Sequence, residues 1–201
     1  FISYPNNPTG NSFDRDFIES VITAAPGLVV VDEAYFPFSG KSFLQQIDRF
    51  PNLLVMRTLS KNGLAGLRLG MMMGDPNWLD QIEKIRLPYN VNSLTQVSVE
   101  FCLDHFSVLS AQAQQIVEDR QWLAGELEKL NGLTVFPSDA NFILVKFDQN
   151  ADAVFEQLKQ RKVLVKNLHR PGTLLENCLR LTVGTPIQNR KLLSALDSFL
   201  R

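Results

Sequence analysis

Leu28-Val29-Val30-Val31, followed at once by Asp32-Glu33-Ala34-Tyr35, is the stretch that decides the fold. Four apolar, mostly β-branched residues without polar alternation describe a strand covered on both faces, as in a parallel sheet. Pro26-Gly27 punctuates the chain before it, and a carboxylate, Asp32, ends it. Upstream, residues 13–24 place Phe13, Phe17, Ile18 and Val21 at helical spacing, with Ser12 or Asn11 as the N-cap. Before that helix, Phe1-Ile2-Ser3-Tyr4 reads as a strand closed by the turn chemistry of Pro5-Asn6-Asn7-Pro8-Thr9-Gly10. Downstream, Leu53-Leu54-Val55-Met56 repeats the continuous apolar run, and residues 69–73 supply another strand. Strands alternating with helices predict a mostly parallel α/β sheet.

Beyond it the pattern changes. Leu109, Ala113, Ile116, Leu123, Leu127 and Leu130 draw one apolar stripe along a helix over residues 107–130, which Asn131-Gly132 ends. Strands are predicted at residues 133–136, 142–147, 163–165 and 178–183, with helices at 152–160 and 186–200, the last opening on Pro186. The expected organisation is therefore part of a large α/β domain over residues 1–106, a linking helix over 107–130, and a small C-terminal α+β domain over 131–201.

Composition narrows the function. Of 201 residues, 45% are hydrophobic, which excludes a disordered chain. Twenty basic against twenty-one acidic residues leave a net charge of −1, with no excess to neutralise a run of phosphates, so no nucleic-acid partner is expected. The apolar runs are far shorter than the roughly 20 residues of a membrane helix, so no membrane partner is expected either. Two cysteines, Cys102 and Cys178, make no disulfide framework, and a reducing cytoplasmic setting fits them. His105 and His169 form no metal motif. The chain opens inside a strand and without Met, which reads as a piece of a longer protein or a processed product.

Ligands of open α/β sheets bind outside the carboxyl ends of the strands, and four groups there carry chemistry. Asn7 lies in the turn after the first strand. Asp32, at the end of an apolar strand, suits a cation or a protonated ring nitrogen, and Tyr35 adds a phenol. Thr58-Leu59-Ser60-Lys61 gives two hydroxyls and an amine, followed by Gly63, Gly66, Arg68 and Gly70. Hydroxyls, glycine backbone and one Arg are what a single phosphate group needs. Taken singly, each has a plainer use: a turn, a cap, a core aromatic, a solvated lysine. Together they suit an aldehyde cofactor bearing a pyridine and a phosphate.

Tyr4-Pro-Asn-Asn-Pro-Thr-Gly10, Val31-Asp-Glu-Ala-Tyr35, Arg57-Thr-Leu-Ser-Lys61 and Gly63-Leu-Ala-Gly-Leu-Arg-Leu-Gly70 resemble the fold type I pyridoxal-phosphate aminotransferases. Leu87-Pro-Tyr-Asn-Val-Asn-Ser-Leu-Thr-Gln96 and Cys178-Leu-Arg-Leu-Thr-Val-Gly-Thr185 resemble the histidinol-phosphate branch. The resemblance implies part of a mostly parallel large-domain sheet plus a small C-terminal α+β domain, and pyridoxal 5'-phosphate as cofactor. It further implies amino transfer between a donor, histidinol phosphate, and 2-oxoglutarate, in a homodimer.

By the same resemblance Lys61 would hold the cofactor as a Schiff base and shuttle the substrate proton. Asp32 would pair with the pyridine nitrogen, while Asn7 and Tyr35 would bond the phenolic oxygen. Thr58, Ser60 and Arg68 would contact the cofactor phosphate. Arg180 would fork onto the substrate carboxylate, and Lys166 would meet the substrate phosphate. Three features depart from the pattern. Arg68 follows Lys61 by seven residues, one fewer than usual. Lys166 stands where this branch commonly shows Arg. The family's N-terminal portion, which supplies a phosphate-binding loop and an aromatic residue over the ring, is not in this sequence. Two rivals remain: a decarboxylase of the threonine-phosphate type, and a remnant without turnover.

Overall fold

Apolar runs without alternation become the inner strands of the first sheet. The computed structural model describes residues 1–200. In its first half the chain forms β1 (Ile2–Ser3), α1 (Arg15–Ala24), β2 (Val29–Asp32), α2 (Phe36–Ser39), β3 (Leu53–Thr58) and β4 (Gly70–Gly74). The sheet order is β1-β2-β3-β4. β1, β2 and β3 run parallel, with Val31 opposite both Ile2 and Val55. β4 returns antiparallel, Leu54 facing Gly74. Residues 59–69 contain two 3-10 turns and no crossover helix, and parallel pairing needs a long crossover. Gly74 permits the close approach of β4: a Cβ there would lie 2.3 Å from Leu54 Cδ2.

Tyr4, Ile18, Ile22, Val29, Val31, Phe43, Leu53 and Val55 form one buried cluster around this sheet, each large aliphatic contributing about 1.5–3 kcal/mol through burial. The start of α1 differs from the expectation. Asp14, not Ser12 or Asn11, is the N-cap, its side chain accepting from Phe17 N–H at 2.8 Å. With that start the inward face carries Ile18 and Ile22, whereas Phe17 is 62% exposed.

The chain continues through α3 (Pro76–Glu83), α4 (Ser93–Asp104) and α5 (Phe106–Leu127). The second sheet follows, built from β5 (Leu133–Val135), β6 (Phe142–Phe147), β7 (Lys166–Asn167) and β8 (Cys178–Thr182), with α6 (Ala151–Gln160) and α7 (Pro186–Leu200). Its order is β5-β6-β8-β7, antiparallel throughout. Ile143, Val145, Phe147, Leu179 and Leu181 meet Leu123 and Leu127 of α5, Leu158 of α6 and Leu192 and Leu196 of α7 in one core. The strand predicted at residues 163–165 is absent. Lys162 takes a left-handed φ of 59°, and Val163 N–H closes the end of α6 by donating to Leu158 O at 2.9 Å. That amide is thus spent on the helix end, and Val163 and Val165 reach the core from a loop.

Contacts divide the chain into two compact units. One comprises residues 1–6 and 12–113; the other comprises 7–11 and 114–201, so the division falls inside α5. No helix among the described residues is long and apolar enough to cross a membrane.

Candidate active site

In the first unit, the carboxyl ends of β2 and β3 lie side by side, Asp32 opposite Met56. Asp32 Oδ1 accepts from Ala34 N–H at 2.9 Å, a short turn that holds the carboxylate at the strand end. Three residues beyond Asp32, Tyr35 caps the start of α2 and is buried. Beyond β3, Ser60–Asn62 form a 3-10 turn closed by Gly63 at φ 85°. This turn presents half-buried Lys61 with its Nζ 5.1 Å from the centroid of the Tyr35 ring. Asp32, Arg57, Thr58, Ser60, Arg68 and Gly70 line a cavity of about 270 Å³.

The hydroxyls of that cavity share one proton economy. Thr58 Oγ1 lies 3.0 Å from Leu69 O and 2.9 Å from Ser60 Oγ, and accepts from Ser60 N–H at 3.1 Å. Thr58 has a single proton. Given to Leu69 O, it leaves Thr58 an acceptor for Ser60; given to Ser60 Oγ, it frees the Ser60 proton for an anion. Arg68 sits in a left-handed conformation at φ 53°, its Nη1 donating to Ala65 O at 3.2 Å while the side chain stays exposed. A carboxylate, two hydroxyls, the Arg68 guanidinium and a neighbouring amine can hold a phosphate, a protonated ring nitrogen and a carbonyl carbon.

The other sequence-predicted residues belong to the second unit. Arg180 Nη1 donates to Asn7 Oδ1 at 2.6 Å, and the guanidinium stands 4.8 Å from the Phe142 ring centroid. Arg180 Nε is buried without a hydrogen-bond partner, the kind of donor a bound anion satisfies. Lys166 lies directly opposite Arg180 across β7 and β8. Like charges facing each other on paired strands repel, and an anion between them removes the penalty.

Sequence reasoning missed two members of the first-unit site. Glu33, 1% exposed, and Arg57 form an ion pair at 2.9 Å. Both stand inside quoted motifs, but a buried charge leaves no mark in a sequence. The signal that could have found them is position: Glu33 follows Asp32 at the end of an apolar strand, and Arg57 precedes Thr58. The histidines serve the backbone: His105 Nδ1 contacts Phe101 O at 2.9 Å, and His169 Nδ1 accepts from Asn177 N–H at 2.8 Å. Burial pushes the Cys178 thiol pKa up, with Lys146 opposing. Among the described residues no group of three or more His, Cys, Asp or Glu is placed to hold a metal ion.

The profile of the family described as aminotransferase class I and II matches residues 1–196. The chain belongs to that family. Histidinol-phosphate aminotransferase 2 of Nitrosococcus oceani is 53% identical over 199 residues, covering 98% of this chain and 55% of that relative. This aminotransferase-family chain thus spans about half the length of the curated relatives it matches. Among solved structures, the histidinol-phosphate aminotransferase from Clostridium acetobutylicum superposes with a TM-score of 0.91 at 22% identity, over 99% of this chain and 63% of that one. The L-threonine-O-3-phosphate decarboxylase from Porphyromonas gingivalis gives 0.85 at 24% identity, with the same coverage. At those identities the two structures speak for the fold alone.

Proposed function

We propose that this chain carries the amine-bearing part of a pyridoxal-phosphate aminotransferase site, with histidinol phosphate as amino donor and 2-oxoglutarate as acceptor. The observation that carries the reading is the grouping of Asp32, Tyr35, Thr58, Ser60, Lys61 and Arg68 at the carboxyl ends of β2 and β3 in one unit. When bound, pyridoxal phosphate supplies an aldehyde that condenses with amines and a ring that accepts the electrons released at the substrate's Cα. The donor set of the cavity fits that group: hydroxyls and guanidinium for phosphate, carboxylate for the ring nitrogen, amine for the aldehyde.

Each side chain then has a stated task. Thr58 and Ser60 bind the cofactor phosphate through hydroxyl protons, and Arg68 through its guanidinium, which leaves the Ala65 carbonyl to reach it. The Asp32 carboxylate keeps a proton on the ring nitrogen and so favours carbanion character at Cα. Tyr35 O–H and the Asn7 amide hold the phenolic oxygen. Lys61 would be the amine that holds the cofactor through its aldehyde, and the same Nζ would serve as the general base that takes the proton from the substrate's Cα. Arg180 and Lys166 take the anionic ends of the two substrates, a phosphate ester on the donor and a carboxylate on the acceptor. The relatives' names favour histidinol phosphate over other donors. A homodimer is part of the same proposal.

The test is a pair of half-reactions on the purified chain loaded with pyridoxal phosphate. Histidinol phosphate should discharge the visible band of the aldehyde form, and 2-oxoglutarate should restore it. Release of carbon dioxide from threonine phosphate with no need of a keto acid would transfer the assignment to a decarboxylase. Failure to take up the cofactor at all would leave a remnant without turnover.

A further inference from the structure

The two loops of the first-unit site are joined by a charged clamp to which neither the family reading nor the proposed chemistry gives a part. Glu33 follows Asp32 directly, its side chain is fully buried, and four donor atoms converge on its carboxylate. Phe43 N–H donates to Oε1 at 2.5 Å. Ser42 Oγ, Arg57 Nε and Arg57 Nη2 lie 2.9, 3.0 and 2.9 Å from Oε2. Arg57 also reaches Ser42 Oγ at 2.8 Å with Nη2, and its guanidinium stacks 3.6 Å from the centroid of Phe36, the first residue of α2. One side chain on β3 is therefore bound to three places on the β2 side: the strand end, the helix that follows Tyr35, and the segment at 42–43.

The geometry explains why such a clamp matters. The ladder between β2 and β3 ends where Glu33 N–H donates to Met56 O at 2.8 Å. Past that point no backbone pairing fixes the loop carrying Tyr35 against the loop carrying Ser60 and Lys61. The Glu33–Arg57 pair sits at that last rung and continues the connection with side chains. Its cost is large, because a buried carboxylate must be fully paired to be tolerated. A neutral core pair of the same volume would hold the sheet as well. What an ion pair with a fork adds is a fixed direction and distance.

We infer that Glu33 and Arg57 are positioning residues, a clamp of a buried carboxylate and a half-buried guanidinium that sets the spacing of Asp32 and Tyr35 against Thr58, Ser60 and Lys61. The inference rests on the proposed cofactor site and adds to it two residues that touch neither cofactor nor substrate. Arg57 lines the cavity with one edge, but Glu33 holds its charge, so the anion-binding role stays with Arg68 and the hydroxyls.

Two measurements test it. In the cofactor-free chain, hydrogen exchange in E33Q should rise together over residues 32–38 and 58–62, on both loops; a rise confined to 40–44 would reduce the pair to a local staple and overturn the inference. In the pyridoxal-phosphate-loaded chain, E33Q and R57K should each weaken cofactor binding by roughly tenfold or more. They should also lower the visible circular dichroism per unit of visible absorbance, at a temperature where the far-ultraviolet spectrum is unchanged. R57K keeps the charge and loses the fork, so it serves should E33Q fail to fold. The double variant E33Q/R57Q, which replaces the ion pair with two neutral amides, should recover part of the lost dichroism. Wild-type affinity and dichroism in both E33Q and R57K would refute the positioning role while leaving the site intact. Absence of cofactor uptake by the wild-type chain would count against the proposed function, and the exchange measurement would still decide whether the clamp joins the two loops.

Discussion

Gly10→Ala should be the most damaging single-methyl change in the turn that carries Asn7. Gly10 has φ 83°, and a Cβ on it would lie 2.5 Å from Ser138 Oγ and 2.9 Å from Ser138 Cβ. The left-handed backbone alone costs a non-glycine residue about 1–2 kcal/mol. Ser138 cannot swing aside freely. Its hydroxyl donates to Phe142 O at 2.5 Å and accepts from Ala140 N–H at 3.1 Å, and losing those bonds costs about 0.5–1.5 kcal/mol each. If instead the turn retreats, it gives up the bond from Asp139 N–H to Gly10 O at 2.7 Å. The expected loss is therefore about 2–5 kcal/mol, a large share of the 5–15 kcal/mol typical of a domain. Urea unfolding followed by far-ultraviolet circular dichroism reads it directly. Gly66→Ala is the control: a Cβ there meets nothing within 4 Å, so its midpoint should move by no more than about 0.5 kcal/mol equivalent. A loss below about 1 kcal/mol for Gly10→Ala, less than the backbone strain and the hydroxyl displacement together require, would refute the reasoning.

Other perturbations have equally definite outcomes. Gly125 lies inside α5 with open space where a Cβ would go, so Gly125→Ala should stabilise the chain by about 0.8–1 kcal/mol in the same urea assay. Cys178 is buried and its thiol pKa is raised by that burial, so iodoacetamide at mildly alkaline pH should label the half-buried Cys102 first. Because the unfolded chain's Cys178 ionises before the folded chain's, the unfolded state binds fewer protons above a pH of about 8.5, and stability should fall with rising pH there. Cys178→Ala should flatten that part of the pH–stability profile.

Much of the first unit can be read from sequence because its strands carry their own signature. Apolar runs such as Val29-Val30-Val31 and Leu53-Leu54-Val55 have no outward polar face, and a buried parallel strand is the structure that needs none. The direction of β4 is harder, since it depends on what the connection contains and not on the strand. Residues 163–165 look like a strand by composition, and only the left-handed Lys162 and the helix-closing amide of Val163 show why they are not. At the site, Asp32 and Lys61 stand out as polar groups at strand ends. Buried Glu33 and half-buried Arg57 do not, because nothing in a sequence tells a paired charge from a solvated one. The Asn7–Arg180 bond joins residues 173 positions apart, a distance at which local pattern is silent.

The most direct test of the central claim is where pyridoxal phosphate attaches. The purified 201-residue chain, incubated with the cofactor, should develop a visible band. Borohydride reduction followed by peptide mapping should then place the label on Lys61, and Lys61→Ala should abolish both band and label while the far-ultraviolet spectrum stays that of the folded chain. A label spread over surface lysines, or a band retained in Lys61→Ala, would contradict the assignment of Lys61 as the amine that holds the cofactor.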